Sequence, residues 1–113
     1  MLLNAAIVGI LAARCAPAVA PGTLAAIAGT ESAFNPLAIH DNTTGLALTA
    51  ASRAAAIQIA RHLIAAGHSV DLGLMQINSA NLTRFGLTLR RAFNPCASPV
   101  SYTHLRAHET RHD

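Results

Sequence analysis

Apolar residues recur at helical spacing along much of this chain, and the interruptions say as much as the runs. Residues 2–13 form a nearly continuous apolar stretch. It is too short to cross a bilayer, which takes about 20 residues. One reading is the core of a secretion leader, with Ala18-Val19-Ala20 as its small-residue cleavage site. The other is a first helix ending near Cys15 and Pro17. The start carries no Lys or Arg, and Arg14 interrupts the run before that site, so the helix reading is favoured. After Pro21-Gly22-Thr23, the residues Leu24, Ile27, Ala28 and Glu31 fall at i, i+3, i+4 and i+7, which is one helix face. That helix should stop by Phe34-Asn35, because Asn35 precedes a proline and is pushed out of the α region.

The polar cluster His40-Asp41-Asn42-Thr43-Thr44-Gly45 predicts a turn, within a short hairpin or irregular loop over 40–49. Residues 50–66 are alanine-rich with Ile57, Ala60 and Ile64 in register; Thr49 is a candidate N-cap and Gly67 a stop. Asn78 or Ser79 can cap a further helix through Phe85, stopped by Gly86, and Thr88 a last one through Phe93, stopped by Asn94-Pro95. The pattern is mainly α with little strand and no internal repeat. From about Pro99 the apolar periodicity ends.

A length of 113 residues allows one small domain, and a hydrophobic fraction of 52% with 12% charged residues excludes a disordered chain. The net charge is +3 and every basic residue is Arg. Arg14, Arg53, Arg61 and Arg84 are scattered, with only Arg90-Arg91 adjacent, which is a solvated surface rather than the basic stripe of a nucleic-acid binder. With no Trp and 4% aromatics, a base-stacking platform is also excluded. The expected partners therefore include no nucleic acid, and no stable membrane insertion is expected. A mildly basic surface does suit an anionic wall polymer. Cys15 and Cys96 are either two free buried thiols or a disulfide formed in an oxidising compartment. Cleavage after Ala20 would discard Cys15, so that cleavage and the bridge exclude each other.

Glu31 carries the most chemical information. It extends an apolar helix face, where desolvation would raise its pKa and keep a proton available for general acid catalysis. The competing reading is a solvated Glu at a helix end. Asp41 and Asp71, the other acids before the tail, read as solvated, as do His40, His62 and His68.

Glu31-Ser32-Ala33-Phe34-Asn35-Pro36, followed by Gly73-Leu74-Met75-Gln76-Ile77-Asn78, resembles the lysozyme-like lytic transglycosylases, and within them the branch associated with type IV secretion. Cys15-Ala16-Pro17, Thr23-Leu24-Ala25-Ala26-Ile27 and Phe93-Asn94-Pro95-Cys96 are similar to that branch as well. The resemblance covers roughly residues 14–98 in order and spacing. It implies an α+β lysozyme-like fold, a single catalytic acid/base at Glu31, a supporting Ser32, and a sugar cleft lined by Met75, Gln76 and Asn78. Asn35-Pro36 would shape the turn into that cleft. It further implies a peptidoglycan glycan strand as substrate, no metal or organic cofactor, type IV secretion components as partners, and a periplasmic or envelope location. The family carries further helices after the Phe-Asn-Pro-Cys position, so the expectation here is a domain over residues 1–100 lacking its C-terminal helices, then a non-native-looking, unstructured tail over 101–113. That tail contains His108-Glu109-Thr110-Arg111-His112, the H-E-x-x-H spacing of zinc proteases. With no apolar stripe to dock it and no downstream third ligand, it reads as a chance pattern.

Overall fold

The computed structural model describes residues 3–16 and 21–109. Helix α1 spans Ala5–Cys15, and the Asn4 side chain caps it by accepting from the Ile7 amide at 2.9 Å. Helix α2 spans Pro21–Ser32. The Leu3 amide donates to the Phe34 carbonyl at 2.9 Å, so the two helices form an antiparallel pair. Val8 and Ala12 of α1 and Leu24, Ala25 and Ala28 of α2 are buried, and the small side chains allow close approach. Residues 5–15 thus form the first helix of the fold, while Ala18-Val19-Ala20 lies outside the described residues.

A four-stranded antiparallel sheet follows: β1 Ala38–Asp41, β2 Ala47–Thr49, β3 Val70–Leu72 and β4 Ile77–Asn78, in spatial order β2-β1-β3-β4. Ile39 faces Leu48 on one side and Leu72 on the other, and Leu72 faces Ile77. The period-2 pleat buries Ile39 and Asp41 while turning Ala38 and His40 the other way. Helix α3, Arg53–Ala65, bridges β2 and β3 and buries Ala56 and Ala60. Its cap is Ser52, which accepts from the Ala55 amide at 3.1 Å, and not Thr49. Thr49 is held in β2 opposite Ala38, and its hydroxyl accepts from Asn35. Gly67, at φ +84°, ends α3 as expected, with His68 N donating to Leu63 O.

Helix α4, Ser79–Phe85, begins at an Asn78 cap and ends at Gly86 in the left-handed region. Helix α5, Leu89–Ala92, begins at a Thr88 cap. Helix α6, Ala97–Glu109, starts where Asn94 Oδ1 accepts from the amides of Cys96 and Ala97. Cys15 and Cys96 form a disulfide that joins the end of α1 to the start of α6. Pro99 sits in the first turn of α6, where a missing N–H costs nothing.

Helix α6 continues to Glu109, into the segment 101–113 expected to be unstructured; residues 110–113 lie outside the described residues. Ser101 is buried and its Oγ donates to the Ala97 carbonyl; Thr103 Oγ1 donates to the Pro99 carbonyl at 2.8 Å. These hydroxyls satisfy themselves on the helix backbone, so polar residues occupy a packed face that apolar periodicity does not mark. Tyr102 adds apolar contact to the core. No described helix is long and apolar enough to cross a membrane.

Candidate active site

The cleft is built where α2 ends. Ser32 Oγ donates to the Ala28 carbonyl at 2.9 Å and accepts from the Asn35 amide at 3.2 Å, which ties the last helical turn to the chain leaving it. Ala33 and Phe34 then take φ of +52° and +61°. Left-handed backbone costs a non-glycine residue roughly 1–2 kcal/mol, so the surroundings must hold it. The Phe34 ring lies against Gly29, where a Cβ would stand only 2.7 Å from the ring. Asn35 is buried; its Nδ2 donates to Thr49 Oγ1 at 2.7 Å and its Oδ1 accepts from the Leu37 amide at 2.9 Å. The exit of α2 is thereby pinned to β2, as expected of a turn shaped by Asn35-Pro36.

An open cavity of about 600 Å³ lies over this turn. Glu31, Ser32 and Asn35 form one wall, the β1–β2 hairpin with His40 and Thr49 another, and Asp71 and Gln76 complete it. Glu31 is exposed, and among the described residues nothing hydrogen-bonds its carboxylate. The desolvated position expected from the helix face is therefore corrected. Leu24 and Ala28 are buried on that face, but its last turn opens into the cleft.

Gln76 reaches the cleft in a left-handed conformation, φ +50°. Its Nε2 donates to the carbonyls of Ala38 and Gly73, at 3.2 and 2.9 Å, which leaves Oε1 to accept from a ligand. Gly73, at φ +77°, passes so close to the Ala92 carbonyl that any Cβ would collide with it. This close approach requires glycine and seats the 73–76 turn on the end of α5.

Two expected cleft residues are elsewhere. Met75 is 1% exposed and belongs to the core with Leu72, Leu74 and Phe93. Asn78 does not line the cleft: its Nδ2 donates to Asp71 Oδ1 at 2.8 Å and to Ser69 Oγ, and its Oδ1 caps α4. Alternation explains Met75, since a tight turn sends it to the side opposite Gln76; Asn78 pairs across the sheet with Asp71 and is spent on that carboxylate and on the α4 cap. What the sequence reading missed is the contribution of Asp71, His40 and β2 to the cleft. The signal lay in the residues alternating with Ile39 and Asp41.

Asp41 is buried rather than solvated. Its carboxylate accepts from the Thr43 amide, Thr44 Oγ1 and His68 Nδ1, the last at 2.8 Å. Burial pushes its pKa up, but the bonds from His68, Thr44 and Thr43 outweigh that and hold it below the ordinary 3.8. A carboxylate depressed in the folded state stabilises the fold fully above its unfolded value, and the contribution disappears as pH falls through the lower folded value. Asp41→Asn should therefore lower stability at neutral pH and make it less sensitive to acid as pH falls below about 4. Urea melts across that range check this; parallel acid limbs in the two proteins would refute it.

The side chains of the His108-to-His112 motif lie outside the described residues, and no metal-binding group of His, Cys, Asp and Glu occurs among those described.

A short glutamate-tipped helix over a small antiparallel sheet, with a cleft between them, defines a lysozyme-like domain. The chain belongs to the Transglycosylase SLT domain family, which matches residues 9–104. That match takes in most of α1 and runs past Pro99 into α6. Protein virB1 of Agrobacterium fabrum is 55% identical over 87 residues, 77% of this chain and 36% of that protein. Type IV secretion system protein virB1 of Brucella abortus is 45% identical over 87 residues, 77% of this chain and 37% of that protein. The chain thus spans little more than a third of the length of these relatives. No solved structure matches it.

Proposed function

We propose that this domain is a peptidoglycan lytic transglycosylase acting through Glu31. The observation that carries the reading is the convergence of Glu31, Ser32 and Gln76 on one open cleft, at the end of a helix whose exit is held in strained backbone. Glu31 protonates the glycosidic oxygen between N-acetylmuramic acid and N-acetylglucosamine as the bond from C1 breaks. The resulting carboxylate takes the proton of the muramoyl C6 hydroxyl, whose oxygen closes on C1. A 1,6-anhydro ring forms, no water is consumed, and Glu31 ends protonated as it began. Glycan filling the open cleft supplies the desolvation that the unliganded carboxylate lacks. Gln76 Oε1 accepts from a sugar hydroxyl, and Ser32 keeps the end of α2 in place.

Asp71 is the other carboxylate on the cleft, with one oxygen occupied by Asn78. Two carboxylates flanking the bond is the arrangement of a hydrolase, so the product decides between the two chemistries. Family membership supports the transglycosylase. A Brucella relative is named a type IV secretion system protein, which supports a role in opening the wall locally for such a machine, with its components as partners. The disulfide suits the periplasm or envelope.

Purified chain incubated with cell walls should release 1,6-anhydro-muropeptides, identified by mass spectrometry, equally with and without a chelator. Muropeptides with reducing muramic acid ends would show a hydrolase. Walls that retain the protein without releasing any fragment would show a binding domain only.

A further inference from the structure

A second recess, of about 330 Å³, lies where the starts of α3 and α6 meet α5, and it shares no lining residue with the cleft. It is lined by Arg53, Arg90, Arg91, Asn94 and Ala97. Three guanidinium-bearing residues from two separate helices face one concavity. No ion-pair partner is found for any of the three among the described residues. Of the acids, Glu31 and Asp71 stand at the cleft and Asp41 is bonded to His68. Asn94 uses Oδ1 to accept from the amides of Cys96 and Ala97, so its Nδ2 is left as a donor. The polar side chains of the recess therefore offer donors and positive charge, with no free acceptor.

Cations gathered in one recess repel one another, and Arg53 also opens the thirteen-residue helix α3, at the end whose dipole disfavours a positive charge. An anion relieves both costs. Guanidinium forks match the paired oxygens of carboxylate and phosphate alike. A single carboxylate balances only one of the three, whereas a phosphate carries more charge and offers more oxygens.

We propose that Arg53, Arg90 and Arg91, with Asn94, form a binding site for a phosphate group, either free or displayed on a lipid headgroup. The proposal is independent of the chemistry at Glu31.

The test uses the full chain. Thermal unfolding is compared in sodium phosphate and sodium chloride at equal ionic strength, and sedimentation is followed with phosphatidylcholine vesicles with and without phosphatidic acid, whose phosphomonoester carries more than one charge. At phosphate tenfold above its fitted Kd, the midpoint should rise by about 5 °C over chloride. Arg90→Gln with Arg91→Gln should remove that rise while the circular dichroism spectrum stays native. Retention on phosphatidic acid vesicles, lost in the same variant, assigns the phosphate to a lipid; a rise in phosphate without retention assigns it to the free ion. Should the double variant fail to fold, Arg53→Gln, at an exposed helix start, gives the same comparison. Equal midpoints in phosphate and chloride with no vesicle retention would overturn the proposal. So would a rise that survives the substitutions, or an equal rise in succinate.

Discussion

Glu31→Gln should reduce the release of 1,6-anhydro-muropeptides by about 100-fold or more, the range that one general acid–base group contributes. The amide keeps the shape of the side chain but has no proton to give and no charge with which to receive one. In a one-carboxylate reaction the same residue serves both halves, so nothing remains to take over either. Stability should change by no more than about 0.5 kcal/mol, because the carboxylate is exposed and makes no hydrogen bond within the described fold. The pairing of a large loss in turnover with an unchanged melting curve is what a catalytic role predicts. Wild-type turnover in Glu31→Gln would remove the residue from the mechanism.

Breaking the Cys15–Cys96 bridge should produce the largest loss of stability. The two residues are 81 apart in sequence. The chain-entropy treatment of a loop of that size gives about 4.5 kcal/mol as an upper expectation. A domain this small buries a limited core, so a loss of that order removes much of its margin. Reductant should lower the thermal midpoint of oxidised protein by 10 °C or more, roughly what a few kcal/mol are worth at this size. Cys15→Ser with Cys96→Ser should reproduce the drop and make the protein insensitive to reductant. Two alkylatable thiols in non-reduced protein from the periplasm, or a midpoint indifferent to reductant, would contradict it.

The helices were largely legible in the sequence because their ends carry local chemistry. Asn78 and Thr88 cap where capping residues should, and Gly67 and Gly86 stop the chain where positive φ is needed. The sheet was less legible. Its strands are two to four residues long, too short for alternation to stand out from a loop. Asp41 looked like a turn residue, and only the return of the chain at His68, 27 positions later, shows it buried and paired. Glu31 stands out as a candidate through its neighbours, yet its exposure does not, since a helical face says which residues align and not how far the covering helix extends. Met75 illustrates the converse: a motif can identify a cleft turn without saying which of its side chains face inward. In the last helix, hydroxyls bonded to their own backbone hid a packed segment from any count of apolar positions.

The contact between Gly29 and Phe34 has a consequence for engineering this domain. Exchanging a mid-helix glycine for alanine is a standard route to greater thermostability, worth roughly 0.5–1 kcal/mol. At Gly29 the added methyl would meet the Phe34 ring, and the ring could clear it only by lifting the left-handed turn that carries the chain from Glu31 to Asn35. At this one position the rule would therefore disturb the floor of the cleft, and the helix gains from alanine only where no ring stands over it.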